Sequence, residues 1–111
     1  MDDLYCKLFI DSKLSYSEIF NYLVFYLNGT SNHITIINSS WCEICLKFND
    51  YYSDKDYNNA PKDFVFWPYY LEIYNNFSES RVYIQNIRKL IEALHEICNG
   101  VVASCDFEEL L

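Results

Sequence analysis

Only two glycines stand in the 111 residues, and each follows an asparagine at the end of an apolar stripe with helical spacing. In the first stripe Tyr16, Ile19, Phe20, Leu23, Val24 and Leu27 recur at the three- and four-residue steps of a helix face. Ser15 and Glu18 have the spacing of a capping box, and Asn28-Gly29 supplies a left-handed stop. In the second, Tyr83, Ile84, Ile87, Leu90, Ile91, Leu94 and Cys98 form the stripe, and Arg88, Glu92 and Glu96 step along the opposite face. Ser78 or Ser80 begins that helix, and Asn99-Gly100 ends it.

Around these helices the period changes to that of strands. Leu4 to Ile10 is apolar except for Lys7. His33 to Ile37 and Cys42 to Phe48 read as a hairpin through Asn38-Ser39-Ser40, with Ile44, Leu46 and Phe48 on one face and Glu43, Cys45 and Lys47 on the other. Phe64 to Tyr74 reads as an aromatic-rich strand that lies at an edge or bends at Pro68, because proline cannot donate to a ladder. Val101 to Cys105 is short and almost wholly apolar, which suits a buried central strand. The expectation is one domain over residues 1–111: an α/β (α+β) two-layer sandwich of ferredoxin-like type. It has a mixed sheet of about five strands, both helices on one face, and the first and last strands central.

Sixteen Asp and Glu against eight Lys and Arg leave a formal charge of −8. Such a domain repels nucleic acid and anionic membranes and attracts basic partners. The start Met1-Asp2-Asp3 lacks the basic character of a secretory signal, and no uncharged apolar run approaches the roughly 18 residues of a membrane span. A cytosolic protein is expected. The five cysteines are odd in number, as suits reduced thiols.

Trp41-Cys42-Glu43-Ile44-Cys45 carries the letters of a redox W-C-x-x-C, but it continues into a strand pattern instead of opening a helix. Residues three apart on a strand face opposite sides. Joining this pair to His95 and Cys98 makes a zinc set whose first half lacks a knuckle. Asp54, Asp56 and Asn58 imitate the start of a calcium loop, but Asn59 and Val65 replace its glycine and glutamate. No phosphate-cradling glycine motif or nucleophile elbow is present. His33 and His95 are conceivable bases with no nucleophile tied to them by spacing, and Glu43 and Glu72 are a conceivable hydrolase pair across strands. No metal or cofactor is expected.

A surface remains. Asp50, Tyr51, Tyr52, Asp54, Asp56, Tyr57, Asp63 and Trp67 combine acid with aromatics, the composition of a site for a basic protein. Asp106, Glu108 and Glu109 form a second acidic group near the end of the chain.

The segment Asp63-Phe64-Val65-Phe66-Trp67-Pro68-Tyr69-Tyr70-Leu71-Glu72-Ile73, followed by a helix and then Val102-Ala103-Ser104-Cys105-Asp106-Phe107-Glu108-Glu109-Leu110, resembles small bacterial proteins of polymorphic toxin systems. Immunity proteins of contact-dependent growth inhibition are among them. The resemblance covers about the C-terminal half, and the N-terminal half adds a compatible strand-helix-strand order. It implies a non-enzymatic protein that binds its cognate toxin domain, commonly a nuclease with a basic cleft, and blocks it by stoichiometric occlusion. The alternatives are a thiol- or metal-dependent protein using Cys42 and Cys45, or a homo-oligomer joined through an aromatic edge at Pro68.

Overall fold

The structure, a computed structural model, describes residues 4–31 and 35–111. The first strand, β1 (Cys6–Asp11), leads into helix α1 (Tyr16–Leu27), the short strands β2 (Thr30–Ser31) and β3 (Ile36–Asn38), and β4 (Cys42–Phe48). A connection containing the six-residue helix α2 (Asp54–Asn59) and a 3-10 turn (Phe64–Phe66) returns the chain to β5 (Tyr69–Asn75). Helix α3 (Ser80–Leu94), strand β6 (Gly100–Ser104) and a final 3-10 turn (Glu108–Leu110) complete it. The strands form one open sheet in the order β2-β3-β4-β5-β1-β6, and every neighbouring pair is antiparallel.

Alternation along the strands and the two helical stripes meet in one core. Leu8 and Ile10 of β1, Ile44 and Leu46 of β4, and Leu71 and Ile73 of β5 are completely buried against Ile19 and Leu23 of α1 and Ile87 and Leu90 of α3. Each such side chain contributes about 1.5–3 kcal/mol relative to exposure. Tyrosines fasten the layers through their hydroxyls, which gives the polar tip of each buried ring a partner. Tyr16 donates to the Leu46 carbonyl at 2.7 Å, Tyr69 to that of Leu14 at 2.9 Å, and Tyr83 to that of Ile73 at 3.3 Å. Helix α1 has the expected capping box: Ser15 Oγ accepts from the Glu18 amide, and the Glu18 carboxylate accepts from the Ser15 amide.

Several expectations are corrected. The sheet is antiparallel throughout instead of mixed. The first strand is interior, as expected, but β6 is an edge strand. Its apolarity is used from the sides: Val101 and Ala103 pack against the core, and the Trp67 ring lies on Gly100. The residues 64–74 do not make one strand, since the 3-10 turn takes the first part and Pro68 stands just before β5. Because β5 is interior, between β4 and β1, Pro68 marks no free edge for a homo-oligomer. Residues 32–34, including His33, lie outside the described residues. Helix α2 was not anticipated.

The left-handed stop expected at Asn28-Gly29 is present and is carried by Asn28, with φ of 50°, whereas α3 ends at Leu94, well before Asn99-Gly100. Neither glycine has positive φ. A Cβ on Gly29 would stand 2.8 Å from the Asn38 carbonyl oxygen, and one on Gly100 would stand 2.5 Å from Trp67 Cη2. Close approach is what both positions require.

Candidate functional site

At the end of the sheet where β1 and β4 finish and β5 begins, the two strand ends and the β4–β5 connection enclose a cleft of about 530 Å³. Asp11, Leu14, Phe48, Asn49, Tyr52, Tyr57, Pro68 and Tyr69 line it, with Ser12 and Lys13. Asn49 holds the connection in shape. Its amide nitrogen donates to the carbonyls of Val65 at 2.8 Å and Trp67 at 2.7 Å, and its side-chain oxygen accepts from the Tyr51 amide at 3.1 Å. With its own backbone amide bonded to the Pro68 carbonyl, one buried side chain pins both ends of the connection. That leaves no polar atom of Asn49 unpaired, the condition under which such a residue can be buried.

Ser53 caps α2 by accepting from the Asp56 amide at 3.1 Å, so the calcium-like letters Asp54, Asp56 and Asn58 fall on a helical turn. Helix α2 docks on the sheet through Tyr57, whose hydroxyl is 3.0 Å from both carboxylate oxygens of Asp11. Burial first, then this hydrogen bond and the carboxylate's charge, hold the Tyr57 phenol above its ordinary pKa. Tyr52 donates to Asp54 at 2.7 Å and packs its ring 6.1 Å from that of Tyr57. That hydrogen bond is the leading cause of its own raised pKa. Both phenols therefore stay protonated as donors at neutral pH.

The sequence-expected residues divide into three sets. Asp50, Tyr51, Tyr52, Asp54, Asp56 and Asp63 are exposed on the connection, with Tyr57 half-buried between it and the sheet. Asp63 caps the 3-10 turn by accepting from the Val65 amide. Trp67, expected among the partner-facing aromatics, is only 7% exposed. Its ring lies on Gly100, its indole N–H donates to the Pro61 carbonyl at 2.9 Å, and it fastens the connection to the end of the sheet. The third set, Asp106, Glu108 and Glu109, is exposed but far from the others. Because Ser104 pairs with Lys7 while Gly100 pairs with Asp11, β6 ends at the opposite end of the sheet from the cleft. There Asp106 and Glu108 line a shallow depression with Tyr5, Ser104 and Cys105. Between them Phe107 is buried against Tyr83, with ring centroids 6.1 Å apart.

Asp11, Phe48 and Asn49 were missed. Asp11 closes an apolar strand and reads locally as the start of a turn, while its partner Tyr57 is 46 residues away. A carboxylate immediately after a buried strand was the available signal.

The cysteine chemistry fares differently. Strand β4 places Cys42 in the core and half-buried Cys45 on the opposite face, as the strand reading expected. Burial pushes the Cys42 thiol up to about 11 against a lowering hydrogen bond with Ser39, and the Cys98 thiol likewise up to about 11 against Ser12. Burial and the neighbouring Glu43 and Glu72 raise Cys45 too. Thiols held in that form are poor nucleophiles. Cys42, paired with Asn75, and Cys98, beside Ser12, stand at opposite ends of the sheet, so the zinc set is not assembled. Glu43 lies opposite Tyr74 and Glu72 opposite Cys45. Glu72 is instead engaged by Lys47 at 2.8 Å and by the Tyr5 hydroxyl at 2.9 Å, which removes it from a hydrolase pair. His95 follows α3 on the exposed surface.

Among the described residues, no group of three or more His, Cys, Asp or Glu is placed to hold a metal ion, and no helix is long and apolar enough to cross a membrane. No protein-family model, curated protein or solved structure matches the chain.

Proposed function

We propose that this chain is a cytosolic immunity protein that binds a basic toxin domain, a nuclease by the resemblance, and neutralises it by stoichiometric occlusion. One observation carries the reading. Exposed Asp50, Asp54, Asp56 and Asp63 and exposed Tyr51 and Tyr52 are carried by the β4–β5 connection, which walls a cleft through Tyr52 and Tyr57 and is tied down by Asn49 and Trp67. Exposed acids accelerate encounter with a basic surface, and rigid aromatics supply contact area at little entropic cost. The formal charge of −8 acts in the same direction. We read the core as ferredoxin-like: the order β4-β5-β1-β6, with helical crossovers between β1 and β4 and between β5 and β6, supports that reading, and β2 and β3 extend the sheet at one edge.

Charge reversal of Asp54 and Asp56 to lysine tests the site, with the Asp106, Glu108 and Glu109 triple reversal as comparison. The first is expected to weaken binding of the cognate toxin domain without unfolding the protein. The tail variant, at the other end of the sheet, should change affinity little. The reverse pattern at unchanged stability moves the interface to the end of β6.

A further inference from the structure

The cleft contains a buried carboxylate that, among the described residues, accepts from a single phenol. Asp11 is 9% exposed, and its two carboxylate oxygens share one donor, the Tyr57 hydroxyl. Among the described residues the only ion pair joins Lys47 to Glu72, so no cation stands against Asp11. Lys13, two residues on, lines the same cleft without pairing with it. An ionised carboxylate has about four acceptor positions, and burying it without a positive partner is costly. Much of the wall around it is aromatic and apolar, formed by Phe48 and Tyr69, with rings 5.7 Å apart, Tyr52, Leu14 and Pro68, while Ser12, Lys13 and Asn49 supply the polar part.

From these features we infer that the cleft is a receptor for one arginine side chain of a partner protein. A guanidinium offers a planar fork of donors that matches two carboxylate oxygens and a flat face that stacks on aromatic rings. A lysine ammonium is compact and strongly hydrated, and it uses such walls less well. Phe48, packed on Tyr16 and Tyr69 yet still 64% exposed, offers apolar surface on which the arginine's methylene stem can lie. This deepens the proposed function and rests on it for the source of the arginine, a basic partner's surface. The recognition itself depends only on the cleft.

The experiment uses the full chain, labelled with nitrogen-15, and a blocked amino acid, N-acetylarginine methylamide, as the probe. Blocked citrulline, its neutral isostere, and blocked lysine are the comparators. Saturable shifts centred on Asp11, Leu14, Phe48 and Tyr57 are expected with arginine, about tenfold weaker binding with lysine, and none with citrulline. Asp11→Asn retains an acceptor for Tyr57 and removes the buried charge. It should abolish the arginine shifts while the melting temperature stays the same or rises, whereas a purely structural Asp11 requires a fall. Tyr52→Ala, which removes an exposed wall, should weaken binding several-fold in a folded protein. Absence of saturable shifts, equal response to citrulline, or unchanged binding in the Asn and Ala variants overturns the arginine site. Such a failure leaves salt-dependent binding of the whole toxin domain intact, so the broader reading is judged separately by that measurement.

Discussion

Substituting Gly100 with alanine strikes at the support of the cleft from the far side of the β4–β5 connection. The added Cβ would lie 2.5, 3.0 and 3.1 Å from Cη2, Cζ3 and Cζ2 of Trp67, against the roughly 3.5–4.0 Å of ordinary carbon contact. The obstacle is a rigid ring held at its nitrogen by the Pro61 carbonyl, with the Trp67 carbonyl tied to Asn49. Something must move by up to about 1 Å. Overpacking of this kind costs about 1–3 kcal/mol, and loss of the indole hydrogen bond adds about 1. Alanine's smaller unfolded-state entropy returns about 0.4–1 kcal/mol. The net cost is about 1–3.6 kcal/mol, or a melting temperature lower by about 4–15 °C for a chain of this size. Calorimetry measures the shift, and the Trp67 indole proton resonance reports whether the bond to Pro61 is lost. A variant with unchanged melting temperature and an unmoved indole resonance refutes the argument that Gly100 exists for Trp67.

Phe77 is fully exposed in a left-handed backbone with φ of 64°, in a turn that the Asn75 side chain clamps at the Ser78 amide and carbonyl. Relief of about 1–2 kcal/mol of strain, against about 0.5–1 for glycine's chain entropy, makes Phe77→Gly stabilising by about 0.5–1 kcal/mol in urea titration; a destabilised variant contradicts this. Although burial raises the pKa of the Glu72 carboxyl, the Lys47 and Tyr5 hydrogen bonds outweigh it and hold it below its ordinary value. Its stabilisation is therefore full above the unfolded-state pKa and lost as pH falls through the folded-state pKa. Glu72→Gln should flatten that acid limb of the stability profile, and an unchanged limb rejects the assignment. Replacing Cys42 and Cys45 with serine should cost about 1–2 kcal/mol, chiefly at completely buried Cys42, while toxin neutralisation persists; loss of neutralisation in a folded variant revives thiol chemistry.

Local chemistry made both long helices, the capping box and the opposite faces of Cys42 and Cys45 legible in the sequence, because each depends on residues within a few positions of one another. The acids and tyrosines around the cleft were legible as a group for the same reason. What the sequence did not reveal depends on distant partners. Apolar β6 reads as central, yet it is an edge strand beside Trp67, which lies 33 residues before Gly100. Asp11 acquires its meaning only when Tyr57 folds over it, and Trp67 passes from exposed anchor to buried support only when Gly100 arrives beneath its ring. The two acidic groups differ by the length of a sheet because β6 runs antiparallel to β1, a register that composition does not encode.

The central claim is that the acidic connection around the cleft binds a basic protein. Its most direct test is surface-plasmon kinetics of the wild type and the Asp54→Lys, Asp56→Lys variant on the immobilised cognate toxin domain that the proposed function requires, at about 50 and 500 mM salt. The expected result is one-to-one binding whose association rate falls steeply with salt in the wild type, and is both slower and less salt-dependent in the variant, which remains folded. Absence of binding, or identical salt dependence in the two proteins, contradicts the account.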